Sequence, residues 1–339
     1  MHRIDTAPLL HLPQDIQLRW QRRVLHFHIP ATTSRGALKE RVTYIIEAEC
    51  NGHTGYGECC VMPGLLPELT AQQLDYWCQA AMHGRCAVLQ EAPSPIRFGI
   101  ETAVLSAIQG GKPRWDTPFA QGKEGVPIHC LIWMADTDTM LRNMQRGINQ
   151  GFTCLKMKVG ALPFKQELAM LREARSAFPA AEIRVDANGA FEPETALEKL
   201  EQLADLGVSY IEQPIRPAQW QAMARLCRES PLPIALDEEL IGVKDTEHML
   251  GTIKPHAIVI KPSLHGGLLA AEHWAETSDK LGIDWWVNSA LESNVGLTAL
   301  AEWCAYTEPR HMQGLGTGRL FTDDIPGPVH LLGTQLVYR

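Results

Sequence analysis

The sequence predicts an α/β fold, a barrel of parallel strands preceded by an α+β domain, and three observations carry that prediction. From residue 126 onward, short apolar runs alternate with helical stretches seven times. Four of the runs end on an acid or a lysine, at intervals of 26, 25 and 24 residues, each the length of one strand-plus-helix unit. The first third of the chain lacks this rhythm.

Residues 41–50 (RVTYIIEAEC) form a strand candidate, Asn51-Gly52 a turn and residues 54–58 a short return strand, together a hairpin. Helical patterns follow at 69–82 and 95–109, the second closed by Gly110-Gly111. Residues 112–125, polar and bearing Gly and Pro, read as a linker. The strands of the barrel are VPIHCLIWM, FTCLKMKVG, EIRVDANG, VSYIEQP, PIALDEEL, HAIVIKP and IDWWVNS, with a weaker eighth at 311–314. Intervening helices such as 164–177 and 193–206 are long enough to make parallel crossovers. No short-period repeat and no low-complexity tract interrupts the pattern.

Composition narrows the class of function. A chain of 339 residues with 45% hydrophobic and 21% charged residues can bury a large core, and no stretch reaches the roughly 18 apolar residues of a membrane span. The formal net charge of -8, with no Lys/Arg block, argues against a nucleic-acid surface. Nine cysteines without a CxxC pair, and no secretory leader pattern at the start, read as reduced thiols of a cytoplasmic protein. The adjacent Cys59 and Cys60 read either as a reactive pair or as small core residues. Nothing in the sequence indicates an oligomeric state.

The chemistry lies where strands end. Asp186 closes IRVD, Glu212 closes SYIE, Asp237 closes IALD and Lys261 closes IVIK, so equivalent positions on successive strands aim polar groups at one spot. In a parallel barrel that end is the active-site face. Three crowded carboxylates repel one another unless a cation lies among them, and magnesium suits an all-oxygen set lacking His and Cys. The alternative is that each acid caps the helix after its strand. Lys156 and Lys158 flank Met157, and the two-residue strand period puts both on one face. If that face is the interior, repulsion between them and a nearby metal would lower one pKa and make a usable base; otherwise both reach to solvent. Counted along the barrel, the KxK lysines lie on the second strand and Lys261 on the sixth, opposite each other in a ring of eight. Such a centre suits removal of a proton beside a carboxylate.

In this order LKMK, DAN, IEQP, LDEE and IKP resemble the enolase superfamily, specifically its muconate-lactonizing-like branch. Sites of that superfamily pair a Lys or His base with magnesium. The resemblance implies a modified TIM barrel of the (β/α)7β type at 119–318. It also implies an α+β capping domain at 1–118, completed by a C-terminal segment, 319–339, that returns to it. It implies that Asp186, Glu212 and Asp237 hold magnesium, with manganese as a substitute ion. Lys158 would be general base and acid, Lys156 would contact a substrate carboxylate, and Asn188 and Glu238 would stand behind them. The partner is then a small-molecule carboxylate.

Four stretches, TSRGAL (33–38), MPGLLPE (62–68), HCLIWM (129–134) and SALESNVG (289–296), are similar to the dehydratases of the branch. Those enzymes aromatise a succinyl-hydroxycyclohexadiene carboxylate in menaquinone biosynthesis. Lys158 would then remove the proton and protonate the departing hydroxyl, while Lys261 stabilises the enolate from the other face. Arg35, Leu65, Ser263, Ser289, Glu292, Ser293 and Gly314 are the candidate substrate contacts. His129-Cys130 stands where many relatives have Asn-Gly, and His129 either tunes substrate fit or is a core histidine satisfied by backbone. The 314–318 glycine loop either cradles a carboxylate through its amides or is only a tight turn. A racemase of N-acylamino acids or a dipeptide epimerase is the rival, since two opposed lysines also suit 1,1-proton transfer. WVNSALES lacks the Asp-x-Asp that a dipeptide ammonium would require. A non-catalytic scaffold is the third reading, and it leaves the three acids and three lysines without a purpose.

Overall fold

A computed structural model of the chain describes residues 2–33, 36–84, 89–316 and 320–339. Its first part is an antiparallel sheet of β1 (Gln17–Thr33), β2 (Gly36–Cys50) and β3 (His53–Cys60), in that order. The expected hairpin is β2 and β3: Cys50 pairs with His53, and Asn51 and Gly52 both take positive φ, 50° and 75°. That is the two-residue turn whose twist matches its strands. The sequence reading missed β1, because three exposed polar residues, Gln21 to Arg23, interrupt its alternation between buried Leu18 and buried Leu25.

Two helices pack on this sheet. Ala71–Met82 starts in a capping box between Thr70 and Gln73. Ser94–Ile108 is buried on two sides, with Ile96, Ile100 and Val104 in the core of the cap and Phe98 and Leu105 in the core of the barrel. It lies directly on β3, where Gly55 and Gly57 leave no side chain between backbone and helix.

The barrel sheet runs β5 (Cys130–Ile132), β6 (Cys154–Lys158), β7 (Glu182–Asp186), β8 (Tyr210–Glu212), β9 (Ile234–Leu236), β10 (Ala257–Ile260) and β11 (Asp284–Val287), all parallel. Residues 313–314 close the ring: Gln313 bridges to Ile128 and Gly314 to Asn288, both in parallel sense. The eighth strand is thus two residues long. The run expected as a single first strand is split, and its first part, β4 (Val126–Pro127), pairs instead with β13 (Gln335–Tyr338) of the C-terminal hairpin. That hairpin is completed by β12 (Val329–Leu332). Upstream of it, Phe321 bridges to Phe27 of β1, so the C-terminal segment touches both the cap and the barrel floor. The interior below the strand ends is filled by Tyr210, Ala235, Ala257, Val259 and Trp286, with the Arg184 guanidinium 4.8 Å from the Trp286 ring centroid. Among the described residues no helix is long and apolar enough to cross a membrane.

Two acids of the cap dock it onto the barrel. Glu101 accepts the amides of Leu268 and Leu269 at the start of helix Gly267–Leu281, whose N-cap, Gly266, offers no side chain. Glu58 accepts the amides of Ser293 (2.9 Å) and Gly296 (3.0 Å) at the start of helix Asn294–Thr307. Carboxylates there satisfy orphan N–H groups and meet the positive end of the helix dipole.

Two outcomes follow from this packing. A Cβ at Gly57 would collide with the Gly99 carbonyl and come within 2.6 Å of Thr102 Oγ1. Gly57→Ala is therefore expected to cost about 3 kcal/mol in urea denaturation, the upper end of ordinary overpacking. Burial pushes the Glu101 carboxyl up from 4.5 to about 7, although Arg97 and the two amides pull it down. Between those pH values the unfolded chain has released a proton that the folded chain keeps. The contribution is therefore complete below about pH 4.5 and lost as pH rises through about 7. Relative to Glu101→Gln, the wild type should lose up to about 3 kcal/mol of unfolding free energy between pH 4.5 and 8, and equal pH slopes for the two would refute this.

Candidate active site

Strand register delivers the polar groups to one level. Lys158 pairs with Asp186, and Asp186 with Glu212. Glu212 pairs with Ala235, and Asp237 lies two residues further along the same face. Leu236 pairs with Ile258, which puts Lys261 on that face as well. All six groups predicted from the strand ends and the KxK motif therefore meet at the C-terminal mouth of the barrel.

Once together, they pair. Lys156 Nζ lies 2.6 Å from both oxygens of Glu212 and 3.0 Å from Asp186 Oδ2. Lys158 Nζ donates to Asp186 Oδ2 at 2.6 Å and to Asn188 Oδ1 at 2.8 Å. The Asn188 amide passes the contact on, Nδ2 donating to Glu238 Oε1 at 2.9 Å. Lys261 Nζ donates to Asp237 Oδ2. Among the described residues the acids do not by themselves converge as a ready metal site, because the three ammonium groups are drawn in among them.

Burial makes the charges expensive to leave unbalanced. Burial opposes the charge of Lys156, but Asp186 and Glu212 outweigh it and raise its pKa; Lys261 is raised in the same way by Asp237 and Glu212. Lys156 is therefore not the lysine of the KxK pair whose charge is weakened, since it faces two carboxylates. Burial and the Asp186 charge push Glu212 up to about 8, with Lys156 pulling the other way. Asp237 Oδ1 is buried without a hydrogen-bond partner among the described residues. An unpartnered carboxylate oxygen and an acid that resists ionisation, in an all-oxygen set, fit a hard divalent cation.

A cavity of about 240 Å³ opens over this cluster. Lys156, Lys158, Asn188, Glu238 and Lys261 form its charged side, and Leu38, Met62, Leu65 and Trp133 its apolar rim. Across from the acids, at the seam between β11 and β5, stand His129, Asn288, Ser289 and Gly314. Burial holds the His129 ring well below its ordinary pKa, so it is neutral, and among the described residues no group, backbone included, hydrogen-bonds its buried Nδ1. Asn288 Oδ1 is likewise without a partner among the described residues.

The remaining expected contacts divide. Leu65, Ser289 and Gly314 line the cavity. The Gly314 amide is committed to the Val287 carbonyl at 2.7 Å, so it does not cradle an anion; what Gly314 gives is room, since a Cβ there would collide with Asn288. Ser263, Glu292 and Ser293 stand one layer behind the wall. Ser263 donates to Glu292, Glu292 accepts the Ala290 amide at 2.6 Å, and Ser293 binds Glu58. Arg35 and the 317–318 part of the glycine loop lie outside the described residues. Cys59 and Cys60 are free, buried thiols pushed up by burial, which makes them core residues.

Several residues about the site went unread. Arg41 from β2 donates to the Ala290 and Leu291 carbonyls and fixes the turn where Leu291 takes φ 66°. His265 Nδ1 accepts the Lys261 amide at 3.0 Å, which leaves the proton on Nε2, 4.0 Å from Asp237 Oδ1 and too far to hydrogen-bond it. Gln213 links the ends of β8 and β9. Only the polar residues immediately following Glu212 and Asp237 in IEQP and LDEE could have signalled this last link.

Residues 139–331 match the family described as enolase C-terminal domain-like. The chain is 38% identical to an o-succinylbenzoate synthase of Desulfotalea psychrophila, over 95% of this chain and 98% of that one. The crystal structure of MenC from Desulfotalea psychrophila LSv54 superposes with a TM-score of 0.82 at 34% identity, covering 95% and 99% of the two chains. The dipeptide epimerase of Enterococcus faecalis V583, complexed with Mg and the dipeptide L-Leu-L-Tyr, shares the fold at TM-score 0.85 and 20% identity, over 95% and 96%. With the family match spanning most of the barrel and the identity running through nearly the whole length, the chain belongs to the enolase superfamily.

Proposed function

We propose that this chain catalyses the o-succinylbenzoate synthase reaction of menaquinone biosynthesis. In that reaction 2-succinyl-6-hydroxy-2,4-cyclohexadiene-1-carboxylate loses water by syn elimination to give 2-succinylbenzoate. The observation that carries the reading is the cavity itself. Lys158 and Lys261 enter it from opposite strands, and its far wall is neutral, polar and apolar rather than acidic.

Asp186, Glu212 and Asp237 would hold magnesium, with manganese as a substitute. When bound, the cation supplies positive charge that offsets the carboxylate as it takes on enolate character. Lys158, as the free amine, takes the proton from the carbon bearing the carboxylate; the electron pair moves into the ring and expels the neighbouring hydroxyl. The same ammonium returns its proton to that hydroxyl, which departs as water from the face the proton left. Asn188, fixed by Glu238, aims the Lys158 amine. Lys261, held by Asp237, lies over the other face as a fixed positive charge. Lys156 faces the substrate carboxylate. The succinyl arm extends to the seam, where His129 and Asn288 hold hydrogen-bonding atoms without partners among the described residues.

N-acylamino-acid racemisation is the second reading, favoured by the opposed lysines, because a succinyl amide has the shape of the succinyl arm. A dipeptide fits less well. Glu292, the acid on the 286–293 wall, is turned to Ser263 and the Ala290 amide, and an ammonium there would be unpaired.

Purified protein with magnesium should aromatise the cyclohexadiene substrate, followed by absorbance, and Lys158→Ala should slow it about 10³-fold. A rate in Lys158→Ala equal to wild type would sink the assignment. Solvent-deuterium exchange into N-succinylamino acids tests the second reading: exchange in both enantiomers establishes racemisation, and exchange in neither removes it. No exchange is expected into dipeptides.

A further inference from the structure

The side chain of Gln213 belongs to none of the groups that face the cavity, yet its place in the site is unusual. It follows Glu212 directly, is fully buried, and has a left-handed backbone, φ 42°, which a residue with a Cβ adopts only under constraint. Its backbone amide donates to Ala235 on β9 at 2.9 Å, and its carbonyl accepts from Gly189 beyond β7 at 2.7 Å. Its side chain then makes four hydrogen bonds. Oε1 accepts the amides of Asp237 (3.1 Å) and Glu239 (3.2 Å), while Nε2 donates to the Ile215 carbonyl and to Glu239 Oε2, both at 3.0 Å. Glu239 completes the link by accepting the Ala218 amide at 2.8 Å. One side chain thus spans from the residue after Glu212 to the backbone of Asp237 itself.

The arrangement has a mechanical meaning. Glu212 holds the last ladder position of β8 and Asp237 is the first residue beyond β9, where the sheet no longer fixes the backbone. Beyond Glu212–Ala235 the sheet supplies no further rung, and Gln213 supplies two hydrogen bonds in its place. The donor order is fixed by the partners, two N–H groups at one end and two oxygens at the other, so the amide has one orientation.

We propose that Gln213 and Glu239 form a clamp that sets the spacing of the Glu212 and Asp237 carboxylates before a divalent cation arrives, making Gln213 a positioning residue for metal affinity. The proposal rests on Asp186, Glu212 and Asp237 being the ligands. With the spacing preset, binding does not have to order the loop after β9.

Titration calorimetry of the metal-free full-length protein with MgCl2 tests it, alongside thermal melting in EDTA. Gln213→Met keeps the bulk and removes all four bonds, and its magnesium Kd is expected to rise at least about tenfold, the usual effect of removing a group that orients a ligand. The exchange Q213E/E239Q keeps the acceptor for both amides and the net charge. It turns the bond to Ile215 into an oxygen–oxygen contact and keeps the link to residue 239 with the donor reversed, and its Kd should stay within about threefold of wild type on the same scale. A magnesium Kd unchanged in Gln213→Met, with only the melting temperature lowered, would mean a purely structural role and overturns the clamp. If Gln213→Met does not fold, the exchange variant decides: a Kd raised about tenfold or more overturns the clamp, because both amide contacts are still available. A wild-type protein that takes up no magnesium removes the ligand assignment, and the clamp with it.

Discussion

Everything at the mouth of this barrel is arranged around the mutual repulsion of buried carboxylates. Asp186, Glu212 and Asp237 are almost wholly inaccessible, and Glu238 lies immediately beside them. Separated charges of that density cannot persist in a dry interior without counter-charge. Three lysines provide it, Lys156 and Lys158 from β6 and Lys261 from the end of β10, and the pairing distances of 2.6 to 3.0 Å at Lys156 and Lys158 are those of charge-assisted bonds. Because the participants are spread over the ends of five strands, β6 to β10, the balance holds only if those strands stay in register. Catalytic geometry and fold integrity are in this sense one constraint.

The same logic is repeated further out. Four buried acids away from the cavity are spent on backbone amides: Glu58 and Glu101 on the starts of two barrel helices, Glu167 on the amides of Gly160, Ala161 and Leu162 after β6, and Glu239 on Ala218. A carboxylate accepting several N–H groups gives a loop one conformation without adding a second charge. The loop that follows Lys158 and the turn that follows Glu212 are both held in this way. Positional accuracy of the reacting groups therefore comes from neighbours that never meet substrate.

Much of this was readable in the amino-acid sequence, for a physical reason. Period-two alternation and the repeat of one strand-plus-helix unit are local signals, and they located the strands, the in-phase acids and the two KxK lysines. What escaped was long-range. The strand β1 hides behind the polar run Gln21 to Arg23, because its pairing with β2 tolerates exposed arginines on an open face. Ser263, Glu292 and Ser293 carry the polarity expected of a substrate wall, but the contacts that turn them away come from residues up to 235 positions distant, as Glu58 is from Ser293. Motif and spacing cannot distinguish a hydroxyl that faces a ligand from one that faces a buried acid of another domain.

The seam made by residues 313–314 gives the barrel two unlike halves. On one side, β6 to β10 form a continuous ladder that carries the three acids and three lysines. On the other, the circumference is completed by a pair of residues whose amides are used up in closing it, and whose small side, Gly314, leaves His129 and Asn288 facing open space. Changes of residue along that join alter the shape and polarity of what fits without touching a single charged partner. The division separates two tasks: the half that handles charge is held in place by electrostatic necessity, and the half that shapes what fits can change without disturbing it.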